Sequence, residues 1–454
     1  MSADPFDYDV VIAGAGIGGC AAATLFGRGG ARVALVERRP DPSKHKVTCT
    51  HLFQSSSVPT LERLGLLDEI LAAGGVPCLP QAWTPWGWVR PEAPPPDRPS
   101  HDVNIRREKL DPLMRRAAAA APGVELMLGQ TVDAVLRDGQ RVAGVAVKAA
   151  DGTRRELRAR LTVGADGRDS RVARLAGRPG RVKAHGRSSF WAYYSGVRLP
   201  SGPARFYLWF LDPGFAAVFP TDDGLALVSV MIARERSSDF KRNLEANFVQ
   251  AMESLPDAPR IADAKRESKI IGKIDMPNVA RQAAGRGLAF VGDAALAADP
   301  LNAVGCGWAL QSAEWLVDET AGAVTGHGDL EASLRRYRRR HARALGPHYM
   351  LTSSYATGRR FNPAERLVLS AAARDHRMAA MFEALGSRNV QPTALASPGN
   401  LARAAGANLR HRLRRREISR ALDAVTGKRP TPHLRGSKPH SFPRVGGPAT
   451  GMDS

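Results

Sequence analysis

The chain has 454 residues, 43% of them hydrophobic, and a formal charge of +21; at roughly 100–200 residues per domain it can hold two or three cores. No apolar run reaches the roughly 18 residues of a membrane span, and Asp4, Asp7 and Asp9 stand where a signal peptide before Val10–Phe26 would carry basic residues, so a cytoplasmic protein is expected. Cys20, Cys49, Cys78 and Cys306 are too scattered for a zinc site or a disulfide framework, so they read as reduced thiols packed like small apolar residues, with no metal expected.

The first element is a β-branched strand, Asp9-Val10-Val11-Ile12-Ala13, followed by Gly14-Ala15-Gly16-Ile17-Gly18-Gly19 and a helix of small residues through Phe26. In such a unit Gly14 permits the tight turn, Gly16 admits phosphate oxygens to the backbone and Gly19 lets the helix lie close on the sheet. A second strand, Arg32–Val36, ends at Glu37, 37 − 14 = 23 positions after the first glycine. That is close to the roughly 20 expected of a carboxylate accepting from a ribose hydroxyl. The unit therefore predicts a dinucleotide site, with Gly18 and Arg38 beside it, and leaves open FAD or NAD(P).

Beyond Glu37 a polar segment leads through Cys49 and His51 to a helix expected from about Ser57 to Ile70, with Ser57 as its cap and Gly74-Gly75 as its end. Residues 76–89 read as extended and aromatic, Pro91–Pro99 as a surface loop, and a helix is expected from Asn104 to Ala121. Arg107 near its start reads as a surface charge or as a phosphate clamp for the same dinucleotide. Short alternating strands with Asp-Gly turns run from Val124 to Thr162, then deliver Gly164-Ala165-Asp166-Gly167 and a helix capped by Ser170.

Residues 180–285 are strand-rich and aromatic, reading as sheet core with some rings facing a planar, apolar ligand. The chain then returns to the first domain with a buried strand, the turn Gly292-Asp293, and a loop from Asp299-Pro300 to Gly305-Cys306-Gly307 that opens a helix from Trp308 to Ala321. Arginine-rich helices follow, with a capping box at Asn362–Glu365. Residues 401–454 hold 12 Lys and Arg against 3 Asp and Glu. This excess reads as a solvated tail, or as a docking surface for an acidic carrier protein or an anionic membrane. No nucleic-acid motif accompanies it.

Three motifs in order, GAGIGG at Gly14–Gly19 with Glu37, GADGRDSRVAR at Gly164–Arg174 and GDAALAADPLNAVGCG at Gly292–Gly307, resemble the FAD-dependent monooxygenase superfamily with the p-hydroxybenzoate hydroxylase fold. Its neighbours are the flavin-dependent halogenases and the geranylgeranyl reductases. The resemblance implies FAD, with Glu37 on the adenosine ribose, Arg107 at the pyrophosphate, Asp166 behind the FAD helping to admit NADPH or NADH, and Asp293 on the ribityl chain. It places Pro300 and the turn Gly305-Cys306-Gly307 at the isoalloxazine. Leu296 stands where many members have histidine, the halogenase Trp-x-Trp-x-Ile-Pro is missing after Trp86-Gly87-Trp88, and Thr48-Cys49-Thr50 partly echoes the cysteine segment of the reductases.

The implied fold is α/β with mixed α+β character. A Rossmann-like FAD-binding domain (1–75, 104–179, 286–330) carries an inserted β-sheet substrate domain (76–103, 180–285), then a C-terminal helical region (331–436) and a disordered tail (437–454). The implied activity is NAD(P)H-consuming hydroxylation or epoxidation of an apolar, aromatic or polyketide-like small molecule with O2, through a flavin hydroperoxide. His51, Tyr193 and Tyr194 are the candidates for proton transfer; reduction of prenyl double bonds, halogenation and carrier docking are the alternatives.

Overall fold

The computed structural model describes residues 5–49, 51–91, 101–199 and 204–426. Its first sheet is centred on Tyr8–Ala13, flanked in parallel by Val33–Glu37 and Arg154–Gly164, with Val10 opposite both Val33 and Leu161. Val124–Leu128 and Leu288–Phe290 extend it in parallel on either side. Strands covered on both faces are apolar throughout, and Tyr8–Ala13 and Val33–Glu37 are buried at every position. Helix Ile17–Arg28 packs on helix Gly305–Val324 so closely that a Cβ on Gly18 would stand 3.2 Å from the Ala309 carbonyl oxygen. The strand Arg154–Gly164 also pairs, through its first half, with Arg141–Lys148, which pairs with Thr131–Asp138.

The second sheet runs in the order Lys265–Arg266, Arg187–Ser195, Leu225–Ala233, Gly214–Pro220, Arg205–Leu211, Val76–Thr84, Asp102–Asn104 and Leu52–Phe53. Strand alternation divides its aromatics between two layers. Phe190, Tyr194, Trp209 and Val228 form one core with helix Leu244–Glu253. Phe206, Phe210, Phe219 and Leu227 form another with Tyr355, Phe361 and Leu369 of the C-terminal region.

The structure departs from several of the expected elements: the helix expected from Asn104 begins only at Arg107, because Asp102–Asn104 is a strand paired with the strand Val76–Thr84. The helix predicted from Ser57 to Ile70 is two, Val58–Arg63 and Leu67–Ala72, broken at Gly65, whose φ of +68° leaves the helical region. Ser57 does not cap it with its side chain, because its hydroxyl donates to the Gln54 carbonyl at 2.7 Å. The helix expected from Trp308 begins at Gly305, so the glycine turn is its first turn. Leu52–Phe53, inside the expected first FAD-binding segment, pairs instead with Asp102–Asn104 of the second sheet. The Asn362–Glu365 capping box forms as predicted, while most of the Pro91–Pro99 loop and the whole tail 437–454 lie outside the described residues. Among the described residues no helix is long and apolar enough to cross a membrane.

Candidate active site

The glycine turn has the geometry a phosphate cradle needs. Gly14 has φ +107°, and a Cβ there would meet the Ala165 carbonyl oxygen at 2.6 Å; at Gly19 it would lie 1.8 Å from the Gly14 oxygen. At Gly16 a Cβ would meet nothing within 4 Å, so the backbone there faces open space at the N-terminus of Ile17–Arg28, which has no side-chain cap and no acid in its first turn. Unpartnered amides and the helix dipole favour an anion at such an end. Glu37 is buried and accepts from the Ala15 and Arg39 amides at 3.0 Å each; Arg38 is exposed.

One helix, Arg107–Ala120, serves this end of the site with residues four apart on a single face. Arg107 is buried, with Nε 2.5 Å from Asp111 Oδ1, and Asp111 Oδ2 accepts from the Lys46 amide at 2.9 Å. Arg115, absent from the sequence reading, donates to the carbonyls of Ala15, Pro42 and Lys44 and so ties the glycine turn to the segment after the second strand. Its spacing from Arg107 and Asp111 was the available signal.

The two return motifs lie beside the same sheet edge. Asp166 Oδ2 accepts from the Arg171 and Val172 amides at 2.7 and 3.1 Å, which fixes the turn, while Oδ1 is buried without a partner. Asp293 pairs with Lys46 at 3.0 Å; burial works against its ionisation, but the Lys46 and Arg168 charges hold its carboxyl below the usual range. The loop carrying Pro300 is clamped by Asp299, fully buried, which accepts from the Leu301 amide and lies 2.7 Å from His185 and 3.2 Å from Arg187. The space beside Gly307 is filled rather than open, since a Cβ there would stand 2.4 Å from Arg388 Nη2.

The structure brings His51 and Tyr193 into direct hydrogen bond, 142 residues apart in sequence. His51 is buried with φ +67°, and its Nδ1 accepts from the Arg107 amide at 3.2 Å, so the neutral ring carries its proton on Nε2 toward the Tyr193 oxygen. Burial, reinforced by Cys49, raises the Tyr193 pKa, so this phenol keeps its proton and can donate it to a ligand. Tyr194 points to the opposite face of the strand, against Phe248, and is removed from the candidates. Cys49 and Cys306, remote in sequence, also meet here, with sulfurs 3.5 Å apart.

Next to the Pro300 loop an apolar cavity of about 280 Å³ lies between the second sheet and the C-terminal helices. Leu301 and Val304 of the loop form one wall, and Phe206, Phe210, Tyr355 and Phe382 form the others. Its polar side holds Asp102, His348, Glu383 and Arg388. Burial pushes Asp102 and Glu383 up to about 7, His348 down to about 4 and Arg388 down to about 9. Arg388 donates to Gln54 and Gln311 at 2.6 Å each, while its Nη2 and the His348 Nε2 are buried without partners. His51 and Tyr193 do not line this cavity, although Leu52 and Gln54 do.

A family model described as an FAD binding domain matches residues 7–346. The digeranylgeranylglycerophospholipid reductase 1 of Methanopyrus kandleri is 28% identical over 351 residues, covering 74% of this chain and 86% of that protein. Among solved structures, the p-nitrophenol 4-monooxygenase PnpA of Pseudomonas putida superposes with a TM-score of 0.66 at 19% identity, covering 84% of this chain and 98% of that one. The flavin-dependent brominase Bmp2 gives 0.71 at 18%, covering 90% and 99%. These structural likenesses establish the fold, and the residues present fit the cofactor: the cradle is open at Gly16 and the uncapped helix N-terminus beside it offers free amides. The chain belongs to the FAD-binding domain family and is a flavoprotein oxidoreductase.

Proposed function

We propose that the protein is an FAD-dependent monooxygenase that uses NADPH or NADH and O2 to hydroxylate or epoxidise an apolar, aromatic or polyketide-like small molecule. The observation that carries this reading is the apolar cavity against the Pro300 loop. At about 280 Å³ it falls just below the roughly 300–1,000 Å³ of ligand sites, a size suited to a compact ring system. FAD, when bound, supplies the redox and oxygen chemistry, and the protein's part is to position the substrate and exclude water. Leu301, Val304 and the aromatic walls do both. Tyr193, kept as a phenol and oriented by His51, lies outside the cavity lining, so it donates a hydrogen bond to a substrate oxygen that projects beyond the cavity, where charge develops.

The similarity to a lipid reductase supports a second reading, in which hydride from reduced flavin saturates a prenyl double bond. One experiment separates the two. Purified FAD-loaded protein is given NAD(P)H, isotopically labelled O2 and a panel of aromatic, polyketide-like and prenylated compounds, with an anaerobic arm and a chloride arm. Label in the product, with substrate-stimulated NAD(P)H oxidation, is the expected result. Anaerobic saturation of an alkene would transfer the assignment to the reductases, and a chloride-dependent product to the halogenases.

A further inference from the structure

The cysteine pair at the cofactor loop has the surroundings of reactive thiols. Cys49 lies in the segment after the second strand and Cys306 in the first turn of helix Gly305–Val324, 257 residues apart, with Sγ atoms at 3.5 Å. Cys49 Sγ also accepts from the His51 amide at 3.3 Å and lies 3.7 Å from Arg107 Nη1, with the Lys46 charge nearby. The hydrogen bond with Cys306, together with one to the His51 side chain and the Arg107 charge, holds the Cys49 thiol well below its usual range against the opposing effect of burial. Cys306 is driven the other way by Cys49 and by burial. With the His51 amide and the Arg107 guanidinium at its sulfur, Cys49 is the nucleophile and Cys306 its resolving partner, an asymmetry typical of thiol pairs that oxidise selectively. Cys20 and Cys78 are buried and pushed up by burial.

We propose that Cys49 and Cys306 form a peroxide-oxidisable dithiol whose disulfide links the segment after the second strand to the cofactor loop. The Cys49 thiolate attacks one oxygen of hydrogen peroxide; the O–O bond breaks and hydroxide leaves, taking a proton to become water. The resulting Cys49 sulfenic acid is attacked by Cys306, which gives up its proton. An S–S bond forms, the S–O bond breaks and a second water departs. Two thiols and one peroxide thus yield one disulfide and two waters, with two electrons passing from sulfur to oxygen. Closing the pair needs the sulfurs to move from 3.5 Å to about 2.05 Å, and a small dithiol reverses it. That the enzyme's own reduced flavin and O2 provide the peroxide rests on the monooxygenase reading; the thiol chemistry does not, since added peroxide is the probe.

The test treats the FAD-loaded full chain with graded hydrogen peroxide, quenches with an alkylating agent and maps the non-reduced peptides by mass spectrometry. The expected product is a Cys49–Cys306 cross-linked peptide short of two hydrogens, with Cys49 lost at least tenfold faster than Cys20 or Cys78. In Cys306→Ser, Cys49 should stall as a sulfenic acid captured by a dimedone probe. In Cys49→Ser, Cys306 should survive the same dose as a free thiol. Recovery of Cys49 and Cys306 as fully as Cys20 and Cys78 in the wild-type protein overturns the proposal, as does Cys306 oxidising equally fast in Cys49→Ser. Neither readout uses turnover, so failure here is distinct from failure of the proposed reaction.

Discussion

In the phosphate cradle a Cβ added at Gly19 would lie 1.8 Å from the carbonyl oxygen of Gly14, a neighbour in the same turn. In the cavity the ties run from Arg388 to Gln54, 334 residues apart, and from Arg388 to Gln311, 77 apart. At Gly14 and Gly19 the first region is held by backbone meeting backbone and leaves no room for an added atom. The second is held by side chains from three parts of the chain, so its shape and chemistry can change while the cradle stays intact. The molecule is thus a common cofactor platform with adjustable walls, in keeping with function residing in sites grafted onto a fold.

The sharpest way to break the comparison is inside the cradle itself. Gly19→Ala forces a clash with backbone and should destabilise the protein by about 3 kcal/mol or more, with loss of bound FAD, seen by chemical denaturation and by the flavin spectrum. Gly16→Ala is its complement: the residue has φ −89° and ψ −171° and an open Cβ position, so the apo-protein should keep its stability while FAD occupancy falls. Equal stability loss in both variants would mean that Gly16 is structural and that the cradle is not open.

Outside the cradle the next largest effect is expected from Tyr193→Phe. Removing the hydroxyl should lower kcat by roughly 10² with FAD binding and fold unchanged; an unaltered kcat removes Tyr193 from the chemistry. Arg388→Met should raise KM about tenfold, or roughly 1.4 kcal/mol, with less effect on kcat, because it strips the polar side of the cavity without touching the cradle. An unchanged KM across the substrate panel would place substrate elsewhere.

The smallest effect is read in stability against pH. Asp102 and Glu383 have folded-state pKa values raised by burial to about 7, so the native state holds protons that the unfolded chain has released. Their contribution is fully present below the ordinary carboxyl range, is lost as pH rises toward about 7, and stays flat above it. Asp102→Asn keeps the oxygen that accepts from the Ser55 amide and should remove about 1 kcal/mol per pH unit of that decline, measured by denaturant titration between pH 5 and 7.

Much of the cradle was legible because its constraints are local. A strand, a turn that needs positive φ at Gly14, a helix of small residues and an acid at a set distance are all written within the 29 residues from Asp9 to Glu37, and the Ser170 and Asn362 caps follow from residue type and position alone. Spacing also carried a signal that went unread, at Arg115, one helical step beyond Asp111. Nothing local marked the helix break at Gly65, since glycine inside an apolar pattern is as often tolerated as disruptive. The arginine-rich face of helix Leu330–Tyr355 hid its other side, which delivers Tyr355 to the cavity.

By itself, then, the sequence determined the nucleotide-binding sheet, its three visits by the chain and the FAD cradle, because backbone geometry and short-range spacing leave few alternatives. Only the tertiary structure decided that His51 meets Tyr193 while Tyr194 turns away, that the helices after residue 330 wall the cavity, and that Cys49 touches Cys306. These are contacts between residues far apart in the chain. They depend on how strands are ordered and which face each presents, and no local pattern of residues encodes that.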